Sequence, residues 1–513
     1  MLYYLIFLFC LISGTISEDT KSPRIVIVGA GASGIAAASK LIENGFENLI
    51  ILEAENRIGG RVNTVKFDEY VIDLGAQWVH GEKGNVAYEL VAPLNITDHS
   101  KPFNDEIYTS TGELLDPRIT KNITDTYLSF GRTSPQMSDD ECQHSVGECL
   151  IYKFKDNFKM FPELNETLQD QIMWLLNLME TSFDPADDWF DIAAKTYTNY
   201  DVCEGDLAIN WRKRGYGTIL DILMKRFPNP EDELPVLNKT VLNAEVTKVD
   251  YSSDDNTVKI TTLDGKEYIA DHVIMTPSLG VLKAQHETLF NPSLPESKIK
   301  TIKGLGFGNA CKIFLAFDDI WFTPTETNNA GYRILWSKEE REKLESDPKT
   351  RWMPYTAGFN FVDHKPRLLQ AWISGRGARL MDDLTDDEVF DQTVQILNNM
   401  LLKHYNVTRP IAMIRYQFFS FYLFLSLSDD ILFVYRSKWH QNKHFRGTYS
   451  YQSIDSIRMN STAKELSEPI MKMGKPVILF GGEATNKKHY STVHGAIASG
   501  WREAERLINL YDN

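Results

Sequence analysis

Cysteine is scarce in this chain of 513 residues, with five in all at Cys10, Cys142, Cys149, Cys203 and Cys311. That number excludes a disulfide-stapled scaffold. Positive charge is also in deficit, 54 Lys and Arg against 70 Asp and Glu, for a net charge of -16. An acidic surface repels nucleic acid and concentrates polycations, so no nucleic-acid partner is expected. No apolar run is long enough for a comfortable membrane span, Met1 to Ile16 included. Internal repeats are absent, and no metal ligand is expected.

What is present suits a large enzyme. With 43% hydrophobic and 24% charged residues the chain can bury a sizeable core, and its length predicts two domains. The apolar start, followed by small residues near Ser13 to Ser17, reads as a signal peptide over 1–17, although no Lys or Arg precedes it. The expected destination is the secretory pathway and the extracellular space. Six N-x-S/T sequons, at Asn95, Asn122, Asn165, Asn238, Asn406 and Asn460, would then be glycosylation candidates, several of them chance matches. Cys10 would leave with the signal, Cys311 reads as a reduced core residue, and one bridge among Cys142, Cys149 and Cys203 is expected without a readable pairing.

Chemistry begins at Arg24 to Leu41. A β-branched strand runs into Gly29, Gly31 and Gly34, spaced G-x-G-x-x-G with Ala32 and Ser33 between, and then into a small-residue helix. Those glycines permit the turn, let the backbone approach a pyrophosphate and bring helix close to strand, with the phosphates on the helix N-terminus. A second strand, Leu49 to Leu52, ends at Glu53, where a carboxylate can accept both ribose hydroxyls. At the far end of the chain, Phe480 to Leu507 looks like another part of the same domain, so the intervening residues must leave that domain and return.

Directly after Glu53 and Ala54 comes Arg57-Ile58-Gly59-Gly60-Arg61-Val62. Here the sequence resembles the flavin amine oxidases, the family of polyamine oxidases, monoamine oxidases and histone lysine demethylases. The resemblance extends through Asp73-Leu74-Gly75-Ala76-Gln77-Trp78-Val79-His80-Gly81, through Ala270 to Ile274 with Ser278 to Lys283, and into Gly481-Gly482-Glu483-Ala484-Thr485. It implies an α/β fold in which a Rossmann-like FAD-binding domain is interleaved with an α+β substrate-binding domain, as in p-hydroxybenzoate hydroxylase-like architectures. Residues 22–93, 206–290 and 440–513 would form the first, and 94–205 and 291–439 the second. It also implies the reaction: hydride leaves an amine-bearing carbon for flavin N5, the imine is hydrolysed, and oxygen reoxidises the flavin with release of hydrogen peroxide.

The resemblance assigns roles to residues. Arg57, Gly60 and Arg61 would lie along the diphosphate, and Gly75 to Trp78 near the flavin. Val246 would meet the adenine through its backbone, and Trp439 would pack on the flavin. Gly482 and Glu483 would run beside the ribityl chain, with Thr492 and Val493 at the pyrimidine edge. Lys312, within Gly308 to Phe317, matches the lysine that holds a water beside flavin N5. Apolar flanks should depress its pKa and suit it to proton shuttling. His80, placed as in the animal spermine and acetylpolyamine oxidases, would bond a substrate amine. Tyr449 matches an aromatic that guides the amine, while Thr492 stands where plant-type enzymes carry a second one; Glu180 is the candidate partner for a distal ammonium. His494-Gly495 reads as a turn and packing element.

One passage departs from the family. Tyr416 to Arg436 interrupts what would otherwise read Met413-Ile414-Arg415-Ser437-Lys438-Trp439. An intron retained in frame, a real surface insertion and a membrane-contacting segment are the three readings, and Asp429 and Asp430 count against the last. His440-Gln441 likewise replaces the family's small Gly-Ser pair. The expected activity is oxidation of spermine or N1-acetylated polyamines with non-covalent FAD and O2, because Glu483 to Asn486 offers no cysteine for a covalent link. The alternatives are an amino-acid oxidase, which needs an arginine for the substrate carboxylate, and a non-catalytic secreted flavoprotein that binds polyamines.

Overall fold

A computed structural model describes residues 23–67, 69–100, 104–130, 144–317, 319–322, 329–405, 412–413 and 435–512. The signal segment, Asn406 and most of Tyr416 to Arg436 fall outside them.

Short β-branched runs that must be buried on both faces form parallel sheets covered by helices, and the first strand shows why. In Ile25–Val28, Ile25 and Ile27 face one hydrophobic core and Val26 the other. This strand pairs in parallel with Leu49–Leu52 on one side and His272–Met275 on the other. The sheet has six strands, in the order Ile470–Lys472, Lys475–Phe480, His272–Met275, Ile25–Val28, Leu49–Leu52, Thr240–Val241. Neighbours in space thus come from opposite ends of the chain. The helix Ala32–Glu43 packs against the last helix, Val493–Tyr511, through small residues that include Ala36, Ala37 and Ala504. A four-stranded sheet containing Val246–Asp250 and Val258–Thr262 lies beside this unit.

Among the described residues the second large sheet has seven strands. Its main order is Ala412–Met413, Ala310–Ala316, Leu368–Ser374, Thr356–Phe361, Asn329–Leu335, Asn104–Thr109, and Tyr435–Arg436 also pairs with Ala310–Ala316. All seven residues of Ala310–Ala316 are buried. The long helix Glu166–Phe183 contacts this sheet, and Asp386–Leu401 presents Phe390, Leu397 and Leu401 to its core with Val394 half-buried against it.

The two short strands at one edge bear on the unusual passage. Ala412 and Met413 stand opposite Ala316 and Leu315, and Tyr435 and Arg436 stand opposite Phe314 and Ile313. Successive positions of one strand are matched first by one piece and then by the other, without a gap. Arg436 is anchored there: its guanidinium donates to Asp386 Oδ1 at 2.7 Å, to Met381 O at 2.5 Å and to Leu384 O.

Cys149 is disulfide-bonded, whereas Cys203 and Cys311 are buried free thiols. Asn95, Asn165, Asn238 and Asn460 are exposed, and Asn122 is half-buried. Among the described residues no helix is long and apolar enough to cross a membrane.

Candidate active site

One cavity of about 1180 Å³ lies between the two large sheets. It exceeds the ~300–1,000 Å³ of a drug-sized site and has room for a dinucleotide and a second molecule. Its walls include Gly29, Gly31, Ala32, Ser33, Glu53, Ala54, Gly60, Arg61, Gly75, Ala76, Gln77, Trp78, Val246, Trp439, Gly482, Glu483, Thr492 and Val493, and also His80, Glu180, Lys312 and Tyr449. Gly34 and Arg57 stand apart. A Cβ on Gly34 would meet Gly29 O at 2.0 Å, so that glycine serves helix-to-strand packing. The Arg57 side chain reaches its neighbour's carbonyl, Ile58 O, at 3.2 Å and lies over Phe445.

The nucleotide end suits a diphosphate with its ribose. Gly29 holds φ +102°, and a side chain there would collide with Thr276 Oγ1 at 2.5 Å. At Gly31 the nearest obstacle to a Cβ is 4.0 Å away, which leaves room for close approach of a ligand. Gly31 also caps the helix Ala32–Glu43 without a side-chain bond, so the first-turn amides have no side-chain acceptor and favour an anion. The Glu53 carboxylate accepts from Ala30 N at 2.7 Å and Glu55 N at 2.8 Å, bonds that fix it while lone pairs stay free for hydroxyls. Burial raises its pKa, and those amide bonds oppose the rise.

Farther in, Arg61 donates to Thr448 O at 2.6 Å and Glu483 Oε1 at 2.8 Å, tying the Gly59-Gly60-Arg61 turn to the C-terminal block. Glu483 also accepts from Ser450 Oγ and Ser491 N. Trp439 Nε1 donates to Leu74 O at 3.2 Å, and the Trp439 ring packs edge-on against Phe445. Thr492 caps the last helix, its Oγ1 accepting from Gly495 N at 3.0 Å and donating to His489 O at 2.7 Å.

Lys312 points from its strand into this space between two indoles, with Nζ 5.5 Å from the rings of both Trp78 and Trp372. The ammonium donates to Asp73 O at 3.0 Å, Gly75 O at 2.6 Å and Gln77 Oε1 at 2.7 Å. Burial pushes its pKa well down from the ordinary lysine value, and the nearby Asp73 charge pulls it back up. Asp73 is itself pushed up by burial, opposed by the Thr64 hydroxyl, the Lys312 charge and the Tyr216 amide. Three acceptors fit a protonated amine, whereas reversal of the Gln77 amide would offer a donor to a neutral one.

His80 places Nδ1 2.6 Å from Leu207 O, which makes Nδ1 the donor in the neutral ring and leaves Nε2 as an acceptor. Tyr449 donates its hydroxyl to Ser182 O at 2.8 Å, so its ring is fixed at the end of the helix that carries Glu180. Glu180 is 2% exposed and contributes to the cavity wall. Trp372, Arg333, Phe445 and Thr448 also line the space. Sequence reading passed over Trp372 because nothing local marks it, and only the pairing Lys312↔Trp372 places it beside the amine.

Comparison with known proteins gives this site a family. The profile of the flavin containing amine oxidoreductases matches residues 32–508. The chain is 28% identical to "Probable polyamine oxidase 5" of Arabidopsis thaliana, over 96% of this chain and 99% of that one. It is 27% identical to the "Peroxisomal N(1)-acetyl-spermine/spermidine oxidase" of Bos taurus, over 96% of each chain, and 27% identical to that of Homo sapiens, over 97% of each. Among solved structures, a putrescine oxidase double mutant shares the fold with a TM-score of 0.64 at 17% identity, over 95% of this chain and 99% of that one. Its cradle for a dinucleotide, its buried lysine and a profile matched over almost its whole length show that this chain belongs to the flavin-containing amine oxidoreductases, as an amine-oxidising enzyme whose cofactor is FAD.

Proposed function

We propose that this enzyme is a polyamine oxidase acting on spermine or N1-acetylated polyamines with O2. The observation that carries the reading is that a single cavity is lined by the nucleotide cradle, by Lys312 and by Glu180 and Tyr449. An extended polycation needs such a space, with its reacting carbon at one place and a carboxylate for a distal ammonium at another. The names of the oxidases from Arabidopsis thaliana, Bos taurus and Homo sapiens support the same class.

FAD, which Gly31, Glu53 and Arg61 would help to hold, would supply the two-electron oxidation of the amine-bearing carbon, with O2 as the final electron acceptor. The chain's own groups do the rest. His80 Nε2 accepts a hydrogen bond from the substrate amine, the Tyr449 ring limits where its carbon chain can lie, and Glu180 attracts a distal ammonium. Lys312, which lines the cavity wall, holds or releases a proton at Nζ. FAD is held without a covalent bond, since Glu483-Ala484-Thr485-Asn486 contains no cysteine. The amino-acid oxidase alternative needs a free arginine. Arg333 reaches the cavity, but Asp105 pairs with it at 2.9 Å and Asn360 Oδ1 accepts from it at 2.8 Å.

Export from the cell is part of the proposal. It is supported by the apolar Met1 to Ile16 segment, by the disulfide at Cys149, a bond favoured in oxidising compartments, and by four exposed sequon asparagines. The deciding measurement is the visible spectrum of the purified protein without oxygen, before and after spermine. Bleaching of the flavin is expected; a flavin reduced by amino acids and not by spermine, or by no amine at all, rejects the polyamine reading.

A further inference from the structure

Outside the residues assigned to catalysis, Cys203, His489 and His494 bring three soft donor atoms together. Cys203 Sγ lies 3.8 Å from His489 Nε2 and 3.9 Å from His494 Nε2, and all three atoms are within 4.8 Å of one another. The imidazole rings sit 4.9 Å apart at 56°. Cys203 and His494 are buried and His489 is half-buried. The thiol can donate to one imidazole nitrogen and accept from the other, and the same convergence of two nitrogens on one sulfur is the arrangement a metal ion requires.

We propose that Cys203, His489 and His494 form a binding site for a zinc-class divalent cation, separate from the catalytic machinery. One thiolate with two imidazoles is a zinc donor set, with a fourth position left to solvent. Bond lengths of ~2.3 Å to sulfur and ~2.0–2.1 Å to nitrogen in tetrahedral geometry put the donors roughly 3.6 Å apart. The two sulfur-to-nitrogen separations need to contract by only a few tenths of an ångström. The site is also held in place. The His489 amide donates to Asn486 Oδ1 at 2.9 Å, and its carbonyl accepts from Thr492 Oγ1. His494 is in the first turn of the last helix, and a Cβ on Gly81 would strike Cys203 Cβ at 2.5 Å.

Bound metal would tie three separate stretches of chain beside the cavity. Cys203 lines the cavity itself, and His494 directly follows Thr492 and Val493, which also line it. The ion would pin the segment carrying Cys203, adjacent to Gly81 and hence to the His80 loop, against the helix that closes the FAD-binding unit.

The test uses the flavin-loaded enzyme, stripped with a chelator and dialysed against Zn²⁺ alone. Metal content by elemental analysis, the unfolding midpoint and the reactivity of Cys203 toward a thiol reagent are measured on wild type, Cys203→Ser, His489→Phe and, as a control, Cys311→Ala. Wild type and Cys311→Ala should each take up one Zn²⁺ per chain, unfold at a higher temperature and shield the Cys203 thiol. Cys203→Ser and His489→Phe should bind at least about tenfold more weakly and show no thermal gain while keeping their flavin absorbance. Should Cys203→Ser lose its flavin, Cys203→Ala takes its place. Absence of uptake by wild type at micromolar Zn²⁺, or equal uptake by the variants, overturns the site.

Discussion

Lys312 illustrates how one residue can be set against its surroundings. Its strand is buried throughout, which penalises the charged amine, yet three oxygens from the Asp73 to Gln77 segment accept its protons. The balance lowers its pKa below the ordinary lysine value of 10.5, so the neutral form grows in as pH rises through a range below that value. Turnover should therefore show a limb that rises with pH in this range. Lys312→Met should abolish the limb and slow turnover by about 100-fold while the bound flavin spectrum persists. An unchanged pH profile in that variant would remove Lys312 from the chemistry. Its motif made Lys312 legible in the sequence. Trp372 was not legible, because it meets the amine only across a strand pair.

At the scale of elements, the edge of the seven-stranded sheet is continuous although its two short pieces are distant in sequence. Met413 and Tyr435 occupy adjacent ladder positions opposite Leu315 and Phe314. Deletion of Tyr416 to Arg436 would bring Ile414 opposite Phe314 and Arg415 opposite Ile313, in the same register and with an arginine again at the anchored position. The shortened protein should bind flavin at full stoichiometry and unfold within a few degrees of the full chain, as spectroscopy and calorimetry can check; failure to bind flavin would show that the passage is required. A second element-scale prediction concerns His272, which is 1% exposed and joins Pro476 O at 2.6 Å to the Tyr511 hydroxyl at 2.7 Å. Burial lowers its pKa below the ordinary 6.5. The unfolded chain takes up a proton that the folded chain refuses, so its contribution is complete above 6.5 and is lost progressively as pH falls below that value toward its folded pKa. The unfolding midpoint of His272→Gln should accordingly fall less steeply with acid than that of wild type, and parallel curves would exclude His272 as a cause.

For the whole molecule, the net charge of -16 sets a long-range field that attracts polycations. For spermine, kcat/KM should drop by roughly tenfold between low and high salt as screening shortens that reach, with kcat nearly constant; a neutral amine substrate should show no such drop. Equal salt dependence for both would place the acidic residues outside substrate capture.

The sequence by itself determined the local chemistry. Gly29, Gly31 and Gly34 with Glu53 specify a nucleotide turn because strand, turn and helix are contiguous, and the short β-branched runs Ile25–Val28 and Leu49–Leu52 specify strands buried on both faces. Only the tertiary structure decided what depends on convergence. The cradle needs Arg61 bonded to Glu483, the lysine needs Trp78 and Trp372 on either side, and the metal site needs Cys203 beside His489 and His494. Local motifs mark Arg61, Trp78, Lys312 and Glu483 one by one but do not show which residues meet, because backbone pairing and core packing bring them together rather than their neighbours in the chain.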